Sequence, residues 1–255
     1  MRRLQCALLA TVAAVGFASI ASATDMPARA PVYKAPPVVA AYNWTGFYVG
    51  GYVGGASGRD TTATDVNGWN GVPGRQWNYG MGSSIIAGGT IGYNWQPVGS
   101  SWLYGLEGEF GYIGLKGSAP DPLSPGLDTV ASAKVGNWYG VFAGRLGYTW
   151  DRALLYVKGG GALVQESTSG IDACNTGACS GGLVNTTGSQ TNSAWVIGGG
   201  LEYALNANWS VKGEYLYLGV HNTVRSCNAA STFCFDNNIR EINTGKLGLN
   251  YRFGG

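Results

Sequence analysis

Four cysteines, one histidine and a small set of acids and bases are the residues of this chain that could do chemistry. Cys174 and Cys179 form one sequence-local pair and Cys227 and Cys234 another, while Cys6 lies apart in the N-terminal apolar stretch. Four thiols allow three connectivities. Two local bridges, Cys174–Cys179 and Cys227–Cys234, are the simplest, with free thiols and a zinc site as the rival readings. Zinc is poorly served, because neither spacing is of the C-x₂-C type and His221 is the only histidine. A histidine base would also need a nucleophile and an orienting acid, and no Ser/His/Asp set is assembled around His221. A solvated loop residue is the plainer reading of His221, with a contact for an external ligand as the alternative. Glycines at 105, 108, 111, 114 and 117 are too few triplets for collagen, and Gly198-Gly199-Gly200 opens no helix, so neither run cradles a phosphate.

The charged residues have a more regular placement. Glu107, Glu109, Arg145, Lys158, Glu202, Lys212, Glu214, Lys246 and Arg252 all fall within segments that alternate apolar and polar residues. In one segment Trp102, Tyr104, Leu106, Phe110 and Tyr112 share a face and Glu107, Glu109 and Ile113 share the other. Trp138, Phe142, Leu146, Tyr148 and Trp150 likewise oppose Asn137, Tyr139 and Arg145. Trp195, Ile197, Leu201, Tyr203 and Leu205 oppose Glu202; Trp209, Val211, Tyr215 and Tyr217 oppose Lys212 and Glu214. Near the end Leu247, Leu249, Tyr251 and Phe253 oppose Lys246, Asn250 and Arg252. The apolar faces are too aromatic to meet water. Four acids against five bases on the polar faces therefore predict a nearly neutral, charge-paired interior, since unpaired buried charge is costly.

Eight such segments are expected, at about 44–56, 80–96, 102–116, 135–150, 153–165, 193–205, 209–219 and 239–253. Their connections alternate: short at 97–101, 151–152 and 206–208, long at 57–79, 117–134, 166–192 and 220–238. An even number of antiparallel strands with tight turns at one end and long loops at the other describes an all-β, eight-stranded up-and-down transmembrane barrel, with short periplasmic turns and long extracellular loops. Trp44, Trp95, Trp102, Trp150 and Trp209, with Tyr251 and Phe253, lie near the short-turn end or the N-terminal entry, and Trp138 and Trp195 begin strands at the other. That placement predicts two membrane-interface belts rather than a mid-strand aromatic core.

Composition agrees. Charged residues are 12% of the chain and Gly is 43 of 255, and after the first two dozen residues no stretch is apolar enough for long enough to span a bilayer as a helix. Arg2 and Arg3, the apolar run to Ile20 and Ala21-Ser22-Ala23 read as a signal peptide over 1–23. Pro27, Pro31, Pro36 and Pro37 mark 24–42 as a Pro-rich periplasmic linker, which leaves 43–255 as the barrel domain. Without Arg2 and Arg3 the 16 basic residues become 14, matching the 14 acids, and this neutrality gives no support for nucleic-acid binding.

Three segments carry a family resemblance: Tyr42-Asn43-Trp44-Thr45-Gly46-Phe47-Tyr48-Val49-Gly50-Gly51 after the Pro-rich entry, Tyr156-Val157-Lys158-Gly159-Gly160, and the ending Leu247-Gly248-Leu249-Asn250-Tyr251-Arg252-Phe253. Together they resemble the alphaproteobacterial outer-membrane immunogenic proteins, opacity-type surface antigens with small OmpA-like eight-stranded barrels. The resemblance implies surface exposure, antigenicity and a contribution to envelope integrity. It also implies that assembly machinery reads the terminal aromatic, although Gly254 and Gly255 follow Phe253 here where members typically finish on the aromatic. The expectation is thus a non-enzymatic, monomeric outer-membrane barrel without cofactor or metal, with a plugged lumen, in contact with outer-membrane lipid. Loop-mediated binding of haem, an adhesion target or a host factor is one alternative, and a narrow porin-like channel another.

Overall fold

The computed structural model describes residues 42–69, 71–174 and 182–253. The expected signal peptide, all of the Pro-rich linker but Tyr42, Cys179, and Gly254 and Gly255 lie outside the described residues.

Ten strands form one antiparallel sheet: β1 (Gly46–Gly58), β2 (Thr61–Asp65), β3 (Arg75–Tyr79), β4 (Ser83–Trp95), β5 (Trp102–Pro120), β6 (Thr129–Trp150), β7 (Ala153–Asp172), β8 (Val184–Ala204), β9 (Trp209–Cys227) and β10 (Cys234–Arg252). The order runs β1-β4-β5-β6-β7-β8-β9-β10 and closes by β1 pairing with β10. The expectation of eight strands therefore describes the circumference, and the two additional strands share places in it. Along its inner-end half β10 pairs with β1, from Tyr48↔Arg252 to Gly58↔Ile242; beyond that it pairs with β2, from Asn238↔Thr62 to Phe235↔Asp65. β3 completes a hairpin with β2, and past its end the Gly82 N–H donates to the Lys116 carbonyl of β5. The β1–β4 hairpin is too short to reach the top of the wall, and the β2–β3 hairpin continues it.

The short-turn ends of the strands fall close to their expected positions, but the other ends do not. β5 through β10 run several residues further than the alternation predicts, so much of 117–134, 166–192 and 220–238 is paired wall rather than loop. One of the predicted inward residues is also displaced. The ladder between β6 and β7 shifts register between Val135 and Tyr139, and Asn137 at φ 81° turns its side chain outward, where it accepts from Lys134. The bulge absorbs extra residues without changing which parity faces in, so Tyr139 and Val135 are both buried.

The barrel holds two different interiors. In the inner-end half the strands point Glu107, Lys158, Lys212 and their neighbours inward, while Phe110, Phe142, Val157, Ile197 and Leu247 stand on the outer face at 55–67% exposure. In the other half the inward side chains are Ile113, Leu115, Val135, Trp77, Phe233 and Phe235, joined in one apolar cluster.

Candidate functional site

The charged cluster is built from one or two inward positions on each of five neighbouring strands and β10. Period-two alternation brings Glu107 and Glu109 of β5, Arg145 of β6, Lys158 of β7, Glu202 of β8, Lys212 and Glu214 of β9 and Lys246 of β10 to one level. Eight strands enclose a bore that side chains just fill. Inward glycines make the room: a Cβ on Gly92 would collide with the Tyr48 ring and one on Gly200 with the Tyr156 ring.

Every acid in the cluster meets more than one donor. Glu107 takes Lys158 at 2.5 Å, Arg145 at 3.2 Å, Lys212 at 3.3 Å and the Tyr48 hydroxyl at 2.5 Å. Glu109 pairs with Lys158 and, at 2.6 Å, with Lys246. Glu214 takes Lys246 at 2.7 Å, Lys158 at 3.3 Å and the Tyr156 hydroxyl at 2.9 Å. Glu202 takes Arg145 at 2.8 Å, the Ser210 hydroxyl at 2.6 Å and the Asn250 amide at 2.8 Å. The Arg145 guanidinium lies 3.9 Å from the centre of the Tyr156 ring, adding a cation–π contact in a site shut off from water. The network balances four acids with four bases, and its side chains are 0–4% exposed.

Two sequence expectations need correction. Arg252 does not join the network: its guanidinium donates to the Asn43 carbonyl and, at 2.8 Å, to the Ala207 carbonyl, and it stands 4.4 Å from the Tyr42 ring. It is the next inward residue beyond Asn250, whose amide already donates to Glu202, and the Arg252 guanidinium meets backbone carbonyls at the barrel mouth. Trp44 does not join the outer belt: it is 2% exposed and packs with Leu103, Leu154, Tyr156 and Ala204 inside the short-turn mouth. It precedes β1, so its ring is not held to that strand's outward parity, and the Gln96 side chain fixes its backbone N–H at 3.0 Å. Trp95, Trp102, Trp150, Trp209 and Phe253 are 40–54% exposed on the outer face. They lie against tyrosine rings in T-shaped or tilted pairs, Trp209 and Phe253 each about 5 Å from Tyr251. Tyr48 and Tyr156 are lumen residues the charge pattern passed over. Tyr156, two residues before Lys158 and therefore on its face, carried the available signal.

Carboxylate oxygens of Glu107, Glu109 and Glu214 approach within 4.8 Å of one another, close enough to ligate a cation. The Lys158 ammonium already bonds to all three. Ser210 in the cluster donates its hydroxyl to Glu202, and the acids and bases neutralise each other instead of flanking a reacting group.

Outside the membrane level, Cys227 and Cys234 form a disulfide that closes the β9–β10 turn. Cys179 is outside the described residues, so the expected Cys174–Cys179 bridge is too. His221 stands exposed on the outer face of β9, on a strand rather than in a loop. Glu166 of β7 is buried in the upper interior, and burial pushes its carboxyl up to about 7 although the Asn192 amide donates to it at 2.6 Å.

The family model for the outer membrane protein beta-barrel domain matches residues 10–253. A 31 kDa outer-membrane immunogenic protein of Brucella melitensis is 34% identical over 96% of this chain and 98% of its own length. A 22 kDa outer membrane protein of Rhizobium leguminosarum is 29% identical over 85% of this chain and 82% of its own. Among solved structures, the outer membrane protein OprG of Pseudomonas aeruginosa aligns with a TM-score of 0.52 at 12% identity, over 84% of this chain and 99% of that one.

Proposed function

The chain belongs to the outer membrane protein beta-barrel family and is located in the bacterial outer membrane, and from that premise we propose that it is a closed structural barrel that displays its upper wall and loops at the cell surface. The observation that carries this reading is the layered interior. Trp44 and its neighbours fill the short-turn mouth, the eight ion pairs fill the middle, and the Phe233–Phe235–Trp77 cluster fills the top. An ion entering such a bore would have to break the lumen pairs, which full burial makes expensive. The proposed role is therefore surface antigen and envelope-integrity protein, neither channel nor enzyme. The relatives' description as immunogenic supports the surface-antigen half of it.

Closure of the sheet through β1 and β10 leaves no open edge in hydrocarbon, which favours a monomer surrounded by lipid. Tyr251 and Phe253 at the end of β10 are what the outer-membrane assembly machinery would read. The test is to reconstitute the folded protein into planar bilayers and to label intact cells with antibody against 220–238. Silent bilayers with labelled cells support the reading. Large, long-lived current steps would replace it with the channel reading, and unlabelled intact cells would remove surface display.

A further inference from the structure

The outer surface of the upper wall carries a like-charge pair that the lumen network does not use. Lys116 of β5 and Lys134 of β6 stand directly opposite each other in the antiparallel register, both at outward positions. Like charges directly opposite on a ladder repel and destabilise it. Two other basic residues on this outer wall are neutralised, Arg59 by Glu241 at 2.8 Å and Arg225 by Asp236 at 2.7 Å, while the exposed Arg240 sits at the β10 register shift with no residue opposite it in the β9 ladder. Among the described residues neither Lys116 nor Lys134 forms an ion pair, and Lys134 donates to the neutral Asn137 side chain at 2.6 Å. The wall around the two lysines forms an open groove of about 940 Å³, and Ser118, Ser132, Ser167 and Ser169 line it with hydroxyls while no carboxylate does.

Height on the barrel identifies the ligand. Tyr112 and Trp138 are the uppermost aromatic side chains on the lipid face of β5 and β6, and each lysine lies four residues nearer the upper end of its strand, Lys116 after Tyr112 and Lys134 before Trp138. At about 3.3 Å per residue and a tilt near 40°, that is roughly 10 Å beyond the aromatic belt. Lysine stems lying along the wall return their ammonium groups toward the headgroup plane. The site faces sideways, into the plane of the leaflet, and is not at the loop tips. We propose that Lys116 and Lys134 bind a phosphate group of the phosphorylated glycolipid that forms the outer leaflet. The flanking serine hydroxyls supply further donors to the phosphate oxygens. The bound dianion cancels the repulsion that the register imposes on the pair, which anchors the upper wall to the leaflet on the β5–β8 side.

Full-length protein folded in detergent would be titrated, by native mass spectrometry, with a bisphosphorylated lipid A-type glycolipid, with the same glycolipid stripped of phosphate, and with inorganic phosphate. The Lys116→Gln/Lys134→Gln double variant changes only outward side chains and should keep its heat-dependent gel mobility; Arg59→Gln serves as the comparison. Bisphosphorylated glycolipid should bind the double variant roughly 30-fold more weakly, about fivefold for each lysine, and should bind Arg59→Gln unchanged. Equal binding to the double variant, or equal binding of the stripped glycolipid to the native protein, would overturn the site. Inorganic phosphate saturating the protein at the same concentration as the glycolipid would overturn the lipid assignment. If the double variant loses its folded mobility, the two single variants carry the test, each with the fivefold criterion.

Discussion

The two halves of this barrel are inside-out relative to one another. Along β9 the inward residues pass from Lys212 and Glu214 to Leu216, Leu218 and Val220, while the outward ones pass from Val211 and Tyr215 to His221, Thr223 and Arg225. β6 makes the same exchange, with Arg145 inside and Phe142 outside low on the strand, then Val135 inside and Lys134 outside above the bulge. In hydrocarbon the polar groups have only the bore in which to be satisfied; above it water surrounds the wall and the bore becomes an ordinary apolar core. The strand is continuous across the change, and only the solvent differs. Stability in the lower half thus rests on pairing charges, and in the upper half on burying apolar surface.

The largest expected effects come from removing the central element of each half. Lys158→Met leaves Glu107, Glu109 and Glu214 with less cation than charge, and breaking buried pairs costs roughly 3–5 kcal/mol, less where Lys212 and Lys246 adjust. Phe235→Ala empties a fully buried site beside Trp77 and Phe233 and costs about 3–5 kcal/mol. Denaturant unfolding in lipid vesicles should show both losses. Hydrogen exchange should confine the Phe235→Ala change to β2 and to the parts of β7–β10 near that core. A uniform loosening in both variants would show that the halves are one unit.

Next comes a charge placed on the two outer faces. Arg at Phe142, low on the lipid side of β6, should cost about 2–4 kcal/mol. Arg at Thr223, on the water side of β9, should stay within about 0.5 kcal/mol. Equal costs in vesicle unfolding would erase the distinction between the two walls.

Glu166 gives the comparison a pH dependence. Its carboxyl is pushed up to about 7 in the folded wall against an ordinary value of 4.5, so the folded state holds its proton more tightly than the unfolded chain does. The contribution is therefore fully present below about pH 4.5 and is lost as pH rises toward 7, by up to ~3 kcal/mol. Unfolding midpoints of the upper half should fall between pH 4.5 and 7, and Glu166→Gln should flatten that slope and exceed the native protein at pH 8. A midpoint that rises over this interval would contradict the burial of an unpaired acid there.

The smallest effect belongs to the Cys227–Cys234 bridge. Replacing both with Ser should raise hydrogen exchange at the β9–β10 tip and leave the temperature of the gel-mobility shift nearly unchanged. A large drop in that temperature would mean the tip clamps the whole barrel.

Much was legible because a bilayer imposes a strict period. Phe110, Phe142, Ile197 and Leu247 had to share parity with their neighbours, so the strands, their short turns and the inward set from Glu107 to Lys246 followed from residue order alone. The terminal belt of Tyr251 and Phe253 and the local Cys227–Cys234 pair were equally local signals. Where the apolar stripe changes faces the same pattern loses phase, and the upper parts of β5–β10 therefore read as loops. Tertiary structure alone decided which charges meet, that Arg145 bridges Glu107 and Glu202, and that Arg252 stops short at backbone carbonyls. It also turned Trp44 inward and let β2 and β3 continue the wall. Alternation specifies a face, which is a property of one strand; height around a closed, tilted barrel depends on the register of all eight, and only the folded sheet sets that register.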